Sequence, residues 1–349
     1  IPAAMSMFFN IVIIIYYIFF IKKFGVYGLA VAFTLGWFAQ LLVQIPFLLR
    51  EKYKFRFAIN LRSEGIREIL KLMLPVLVSS WVMPINNMVN ANTASYICGG
   101  GNALKMANTI YIIVTGTFVL SVNNFMFQRF SKLKANDSSD EFNSALKVSL
   151  SNMFYFLIPL TFALMIFSRD VVSILFERGK FDASATNLTA TALFFYSIGI
   201  IGYGIQTILN SSFYAQKNGK SPLIFAVIAI VINFLFSSRL VKFFGIGGPA
   251  LASSIAIDVT ALLMLLTVNK NNFLDRKFFL SIIKIIFSSL IMSIVVFYLY
   301  KSLNLKFISL LISSSFGFLF YIFITFLLKL GEAIFIKEAA VKFFTRRQK

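Results

Sequence analysis

What most constrains this chain is the spacing of its charges. Ten stretches run free of charge or nearly so: residues 1–21, 24–49, 72–104, 106–128, 148–168, 183–216, 221–238, 243–269, 278–300 and 307–328. About 20 apolar residues in a helix cross the hydrocarbon core of a bilayer. Two of the runs hold a single charge each, Asp258 and Lys284. The runs are too long for barrel strands and lack a two-residue alternation. The expected fold class is therefore an all-α polytopic membrane protein with ten transmembrane helices. With 59% hydrophobic and 13% charged residues among 349, a soluble fold could not hide its apolar surface.

The net charge of +20 invites a nucleic-acid reading, which its distribution opposes. With residues 50–71 placed in the cytoplasm, 22 basic residues fall in cytoplasmic stretches and ten in the opposite loops. That asymmetry is the positive-inside pattern of membrane topology, and it places the C-terminus in the cytoplasm. It implies contact with anionic lipids and no nucleic acid. The chain has no His and one Cys, Cys98. The commonest general base and metal ligand is therefore missing, and neither a disulfide within the chain nor a Cys-based metal site can form. No enzyme is expected. The first apolar run has no basic n-region or cleavage site before it, so a removed signal peptide is not expected.

Two stretches echo each other 220 positions apart. Phe24-Gly25-Val26-Tyr27-Gly28-Leu29-Ala30-Val31-Ala32 matches Phe244-Gly245-Ile246-Gly247-Gly248-Pro249-Ala250-Leu251-Ala252, and Pro2 matches Pro222 in register. An internal duplication in an apolar chain points to a transporter of two related lobes. Four spans starting near Leu72 precede the second copy, and none precedes the first. The expected organisation is 1–49 as the last two helices of a first lobe and 50–71 as an amphipathic cytoplasmic connector. Residues 72–270 would form a complete six-helix second lobe, 271–328 two additional helices, and 329–349 a basic tail. By this count the whole protein has fourteen spans, and the chain alone is expected to be inactive in transport.

Several short motifs carry a family resemblance. They are Leu74-Pro75-Val76-Leu77, the loop Phe176-Glu177-Arg178-Gly179-Lys180-Phe181, the turn Phe213-Tyr214-Ala215-Gln216-Lys217-Asn218-Gly219-Lys220-Ser221-Pro222, and the segment Gly245 to Ser254. In this order and spacing, over residues 1–270, the chain resembles the MurJ (MviN) lipid II flippases of the multidrug/oligosaccharidyl-lipid/polysaccharide exporter superfamily. The resemblance implies a partial two-lobed flippase bundle in the bacterial inner membrane. It implies outward flipping, by alternating access, of an undecaprenyl-pyrophosphate-linked peptidoglycan precursor. Cell-wall synthesis proteins are expected partners beside the lipid-linked substrate. Two alternatives stay open: export of another lipid-linked glycan or an organic cation, and a non-transporting scaffold of an envelope-building complex.

Polar residues inside the spans are the candidate site. Asn86 and Asn90 are four apart and share a helix face, which either lines a transport path or bonds to a neighbouring helix. Asn108 and Thr109 are expected to face the cavity as well. The resemblance puts a phosphate-gripping basic residue at Thr109, and its loss removes that contact here. Lys105, one turn earlier, is the candidate substitute. The resemblance also implies a sodium site at Asn90, Asn233, Ser237, Pro249 and Ser253, where oxygen ligands suit a hard cation. The carboxylates the family carries at the positions of Asn90 and Ser237 are absent. Asp258 is either a proton or cation partner, or the ion-pair partner of Lys284.

Overall fold

The computed structural model describes residues 5–50, 66, 81–136, 138–269, 273–303 and 306–333. Among these residues all regular structure is helical. Residues 1–68 and 69–349 form two separate compact units.

In the first unit, α1 (Met5–Ile15) runs into a π-helical turn (Tyr16–Phe20) and then α2 (Ile21–Arg50). The chain reverses at Gly25, whose φ of 53° and ψ of −146° lie outside the helix region. The Phe9 ring consequently packs against Phe33 at 5.5 Å and Trp37 at 5.2 Å. The Tyr16 hydroxyl locks the corner by donating to the Gly25 carbonyl at 2.6 Å. A Cβ at Gly28 would lie 2.4 Å from that hydroxyl, so only glycine lets the two arms meet there.

The second unit contains ten helices among the described residues. They are α3 (Val82–Ala94), α4 (Gly100–Ala135), α5 (Ser139–Ile166), the short α6 (Ser168–Phe176), α7 (Ala183–Ile198), α8 (Ile200–Ala215), α9 (Lys220–Phe244), α10 (Gly247–Val268), α11 (Arg276–Ser302) and α12 (Lys306–Leu327). Helix α10 packs along α9 on one side and on α7 and α8 on the other, while α4 covers α7 and α8. The pair α11–α12 leans on α5, where the Tyr321 hydroxyl donates to the Tyr155 carbonyl at 2.7 Å and the Tyr155 and Thr325 hydroxyls meet at 2.9 Å. Most other hydroxyls in the spans donate to the carbonyl one turn back, as Thr115, Ser149 and Ser289 do, because lipid offers them no partner.

The echo in sequence is an echo in backbone. Gly245 closes α9 with φ 54° and ψ −130°, close to the values at Gly25. A Cβ at Gly248, the counterpart of Gly28, would fall 2.3 Å from the Val241 nitrogen. In both copies one glycine turns the chain and another, three residues later, lets the second helix touch the first.

The loop motifs also have physical reasons. The Phe176 and Phe181 rings pack at a tilt, 5.9 Å apart, across a turn made possible by the positive φ of Gly179. Asp182 then caps α7, accepting from the Ala185 N–H at 2.8 Å. Asn218 holds the start of α9 in the same way, accepting from the Ser221 N–H at 3.2 Å.

Several boundaries differ from expectation. Seven helices among the described residues are long and apolar enough to cross a membrane, or eight if the bent pair α7–α8 counts as one span. Ten is not reproduced in that count, for two reasons. Ser6–Phe47 passes as one 42-residue stretch although it reverses at Gly25, and α3 has only 13 described residues. The apolar runs 72–104 and 106–128 meet at Lys105, but the turn between α3 and α4 lies at Ser95–Gly99, and α4 starts at Gly100. Lys105 therefore sits inside α4 and does not separate two spans. The run 183–216 is bent by 46° at Gly199. Pro2, the motif Leu74–Leu77, nearly all of the connector 50–71 and the tail beyond 333 lie outside the described residues.

Candidate functional site

Three helices bring the sequence candidates together. Helix α3 supplies Asn86 and Asn90 one turn apart, α9 supplies Asn233 and Ser237 one turn apart, and α10 supplies Pro249 and Ser253 one turn apart. Asn233 donates its amide to Asn86 Oδ1 at 3.0 Å and to Asn90 Oδ1 at 3.3 Å. Asn90 donates to Ser253 Oγ at 2.8 Å. Ser253 in turn donates to the Pro249 carbonyl at 3.1 Å and to Asn233 Oδ1 at 3.3 Å. Ser237 donates to Thr93 Oγ1 at 3.2 Å, and Thr93 passes its own proton to the Val89 carbonyl at 2.8 Å. Asn90, Asn233, Ser237 and Ser253 are all buried.

All five residues of the expected ion site thus converge, joined by Asn86 and Thr93. Their oxygens are hard donors of the type an alkali cation takes, and none bears a formal charge. The cluster satisfies its own hydrogen bonds, so a cation must displace amide donors to enter. Turning the Asn90 or Asn233 amide by 180° would present a carbonyl oxygen in place of an NH2. No group of three His, Cys, Asp or Glu residues able to hold a metal occurs among the described residues.

The cluster forms one wall of a cavity of about 260 Å³. Its polar lining comes from Asn86, Asn87, Asn108, Gln206 and Asn210, with the phenols of Tyr111, Tyr196, Tyr203 and Tyr214. A neighbouring cavity of about 280 Å³ shares Asn87, Asn90, Asn108 and Tyr196 and is the one that reaches Lys105. Lys105 is the single charged residue in the two linings. Thr109 lines neither: its side chain is exposed and its hydroxyl returns to the Lys105 carbonyl at 2.9 Å. Asn108 takes the cavity position expected of the pair.

The tyrosines and the amides of α8 were not among the sequence candidates. Tyr196, Tyr203, Gln206 and Asn210 are spaced by seven, three and four residues, which is one helical face. That spacing was the available signal, masked by the abundance of aromatic side chains in lipid-facing helices. The tyrosines are mutually packed, with the Tyr111 ring 5.8 Å from Tyr196 and 6.1 Å from Tyr203. Such a wall offers neutral donors, acceptors and flat rings, and no nucleophile or general base.

The two intramembrane charges do not pair. Asp258 accepts from the Gly202 N–H at 3.0 Å, while the exposed Lys284 donates to the Leu328 carbonyl at 3.1 Å. On the other side of α4, a separate apolar cavity of about 620 Å³ is lined by Val114, Phe118, Phe156, Leu160, Val296 and Phe318.

A family profile described as "Lipid II flippase MurJ" matches residues 1–329 of this chain. The lipid II flippase MurJ of Burkholderia cenocepacia is 28% identical over 253 residues, covering 71% of this chain and 49% of that protein. The probable lipid II flippase MurJ of Thermotoga maritima is 27% identical over 334 residues, covering 95% and 65%. A solved structure of lipid II flippase MurJ in an inward closed conformation superposes with a TM-score of 0.78 at 28% identity, over 97% of this chain and 68% of that one. The Vibrio cholerae MATE transporter VcmN shares the fold at a TM-score of 0.58 and 13% identity, over 80% and 64%. The chain spans about half to two thirds of the length of these curated relatives.

Proposed function

Because the chain belongs to the lipid II flippase MurJ family, we propose that the protein carries lipid II outward across the bacterial inner membrane by alternating access. The carrying observation is a neutral polar cavity among apolar helices, with a separate apolar cavity in the same unit. Unaided transfer of a large polar headgroup through hydrocarbon costs several kcal/mol for each unsatisfied group. The amides and phenols around Asn108, Tyr111 and Gln206 replace that lost hydration. The apolar cavity between α4, α5, α11 and α12 suits an isoprenoid tail. The ten membrane crossings of this reading count the two arms of the first hairpin separately, the bent pair α7–α8 as one and α3 as one. The tail lies in the cytoplasm, and cell-wall synthesis enzymes are the partners on either side of the reaction.

Within this reading, Na⁺ is a weak ligand of the neutral cluster, held by oxygens of Asn90, Asn233, Ser253 and the Pro249 carbonyl. The melting temperature should rise with NaCl beyond its rise with equal KCl, and only at high salt. No Na⁺-specific rise removes the ion from the account.

The function is tested by expressing the complete gene in a bacterium depleted of its own lipid II flippase. Restored growth and lipid II export are expected. Failure to rescue, with normal insertion in the membrane, favours a scaffold or another lipid-linked glycan. The absence of a guanidinium at Thr109 is the observation that keeps this second reading in play.

A further inference from the structure

The bend at Gly199 interrupts a span, and a break in a helix frees backbone groups from the regular ladder. Within the chain the Gly199 N–H donates to the Tyr196 carbonyl at 3.1 Å, and helix α10 adds side-chain partners from two residues one turn apart. Ser254 donates its hydroxyl to the Phe195 carbonyl at 2.7 Å and the Tyr196 carbonyl at 3.3 Å, at the end of α7. Asp258 accepts from the Gly202 N–H at 3.0 Å, in the first turn of α8. A donor thus meets the carbonyl end of one half and a carboxylate meets the amide end of the other, which matches the helix dipoles. The fit is close on both sides. A Cβ at Gly199 would lie 2.9 Å from Ser254 Cα, and one at Gly202 would lie 2.3 Å from Asp258 Oδ1.

Nothing cationic offsets the carboxylate. Among the described residues no Lys or Arg pairs with Asp258. The titratable groups around it are phenols, Tyr111 of α4 with Tyr196 of α7 and Tyr203 of α8 beside it. Helix α9 carries no charge between Lys220 and Arg239. The clasp also borders the cavity: Ser254 and Ile257 line it from α10, Tyr196 from α7, and Tyr203 and Gln206 from α8.

We propose that Asp258 is a proton-binding site that sets the bend between α7 and α8. Ionised, the carboxylate holds the amide end of α8 and keeps the cavity in its observed shape. A proton arriving through the cavity binds a carboxylate oxygen and cancels the charge that faces the helix end. The bend then relaxes, and Tyr196 moves relative to Tyr203 and Gln206. The clasp is independent of which lipid-linked molecule is carried, and only its place in a transport cycle rests on the flippase reading.

The test measures a distance without substrate. Spin labels are placed at Thr191→Cys and Gln216→Cys in the full protein, with Cys98→Ser, in lipid nanodiscs. From about pH 4 to about pH 9, the α7–α8 distance should shift by a few ångström with a one-proton titration. D258N should hold the low-pH distance throughout, and D258E should restore a titration. Gly202→Ala keeps the carboxylate and breaks the clasp, so it too should abolish the shift, which covers the case of D258N failing to fold. An invariant distance in the parent protein overturns the proposal. So does a parent-like titration in D258N or Gly202→Ala.

Discussion

Lys105 and Thr109 are one turn apart on α4, and they bear on how the proposed lipid-linked substrate would be held. Thr109 occupies the place where the family resemblance puts a basic residue, but its hydroxyl is spent on the Lys105 carbonyl. Lys105 supplies the one charge in the two cavity linings. A charge-assisted hydrogen bond contributes about 1.5–3 kcal/mol. K105A should therefore lower lipid II flipping about tenfold to a hundredfold in reconstituted liposomes, while T109A leaves it nearly unchanged. T109R should raise the rate, because the exposed position accepts a long side chain and adds a bidentate phosphate ligand. A lower rate in T109R would mean that α4 does not present that face to the headgroup. At this scale the polar cluster was legible because a polar side chain repeated after four residues in an apolar run needs a partner, as with the amides of Asn86 and Asn90 or the amide of Asn233 and the hydroxyl of Ser237. Tyr203, Gln206 and Asn210 were not legible, since the face they share turns inward only once the span is bent.

Two helix ends carry the predictions at the scale of elements. Gly245 and Gly25 adopt the same positive-φ conformation, with ψ of −130° and −146°, a region that only glycine enters readily and where a Cβ costs about 1–3 kcal/mol. Gly245→Ala should lower stability by about that amount in a thermal unfolding assay. Gly248→Ala should cost more, because its Cβ would meet the α9 backbone rather than a side chain that can move aside. The second end is the start of α11. Asp275 accepts from the Phe278 N–H at 2.9 Å and pairs with Lys147 at 2.9 Å. Lys147 and that N–H hold its carboxyl below the usual carboxylate range. A depressed folded-state pKa means that the stabilisation is complete above the unfolded value, about 3.9. It is lost as pH falls through the lower folded value. Amide exchange in the first turn of α11 should accelerate on acidification through that range, and D275A, which removes both the cap acceptor and the Lys147 partner, should show fast exchange at every pH. The turn at Asn218 is readable because asparagine and glycine punctuate an apolar run there, whereas the charges that bound the runs near residues 22–23 and 239–242 lie within helices and the breaks fall at Gly25 and Gly245. Lys105 likewise bounds two apolar runs but sits within α4, and the break falls at Ser95–Gly99. In the run 183–216 glycines mark the bend at Gly199, and the side chains that meet it, Ser254 and Asp258, lie on a different helix.

For the molecule as a whole, the glycine pair duplicated in sequence is duplicated in backbone, and the family match over residues 1–329 agrees with the resemblance readable from motifs. What the sequence could not supply was the sorting of charge by depth. Most basic residues lie at the ends of spans, and Lys284 reaches the Leu328 carbonyl near the end of its neighbour. Asp258 remains inside, held by an uncharged backbone amide. A membrane voltage does work only on charge that moves through the field, about 2.3 kcal/mol per elementary charge per 100 mV. One pH unit is worth about 1.4 kcal/mol. Protons reaching Asp258 from one face of the membrane would cross part of that voltage on the way. Acidity and electrical potential would then act on the bend at Gly199 as interchangeable drives.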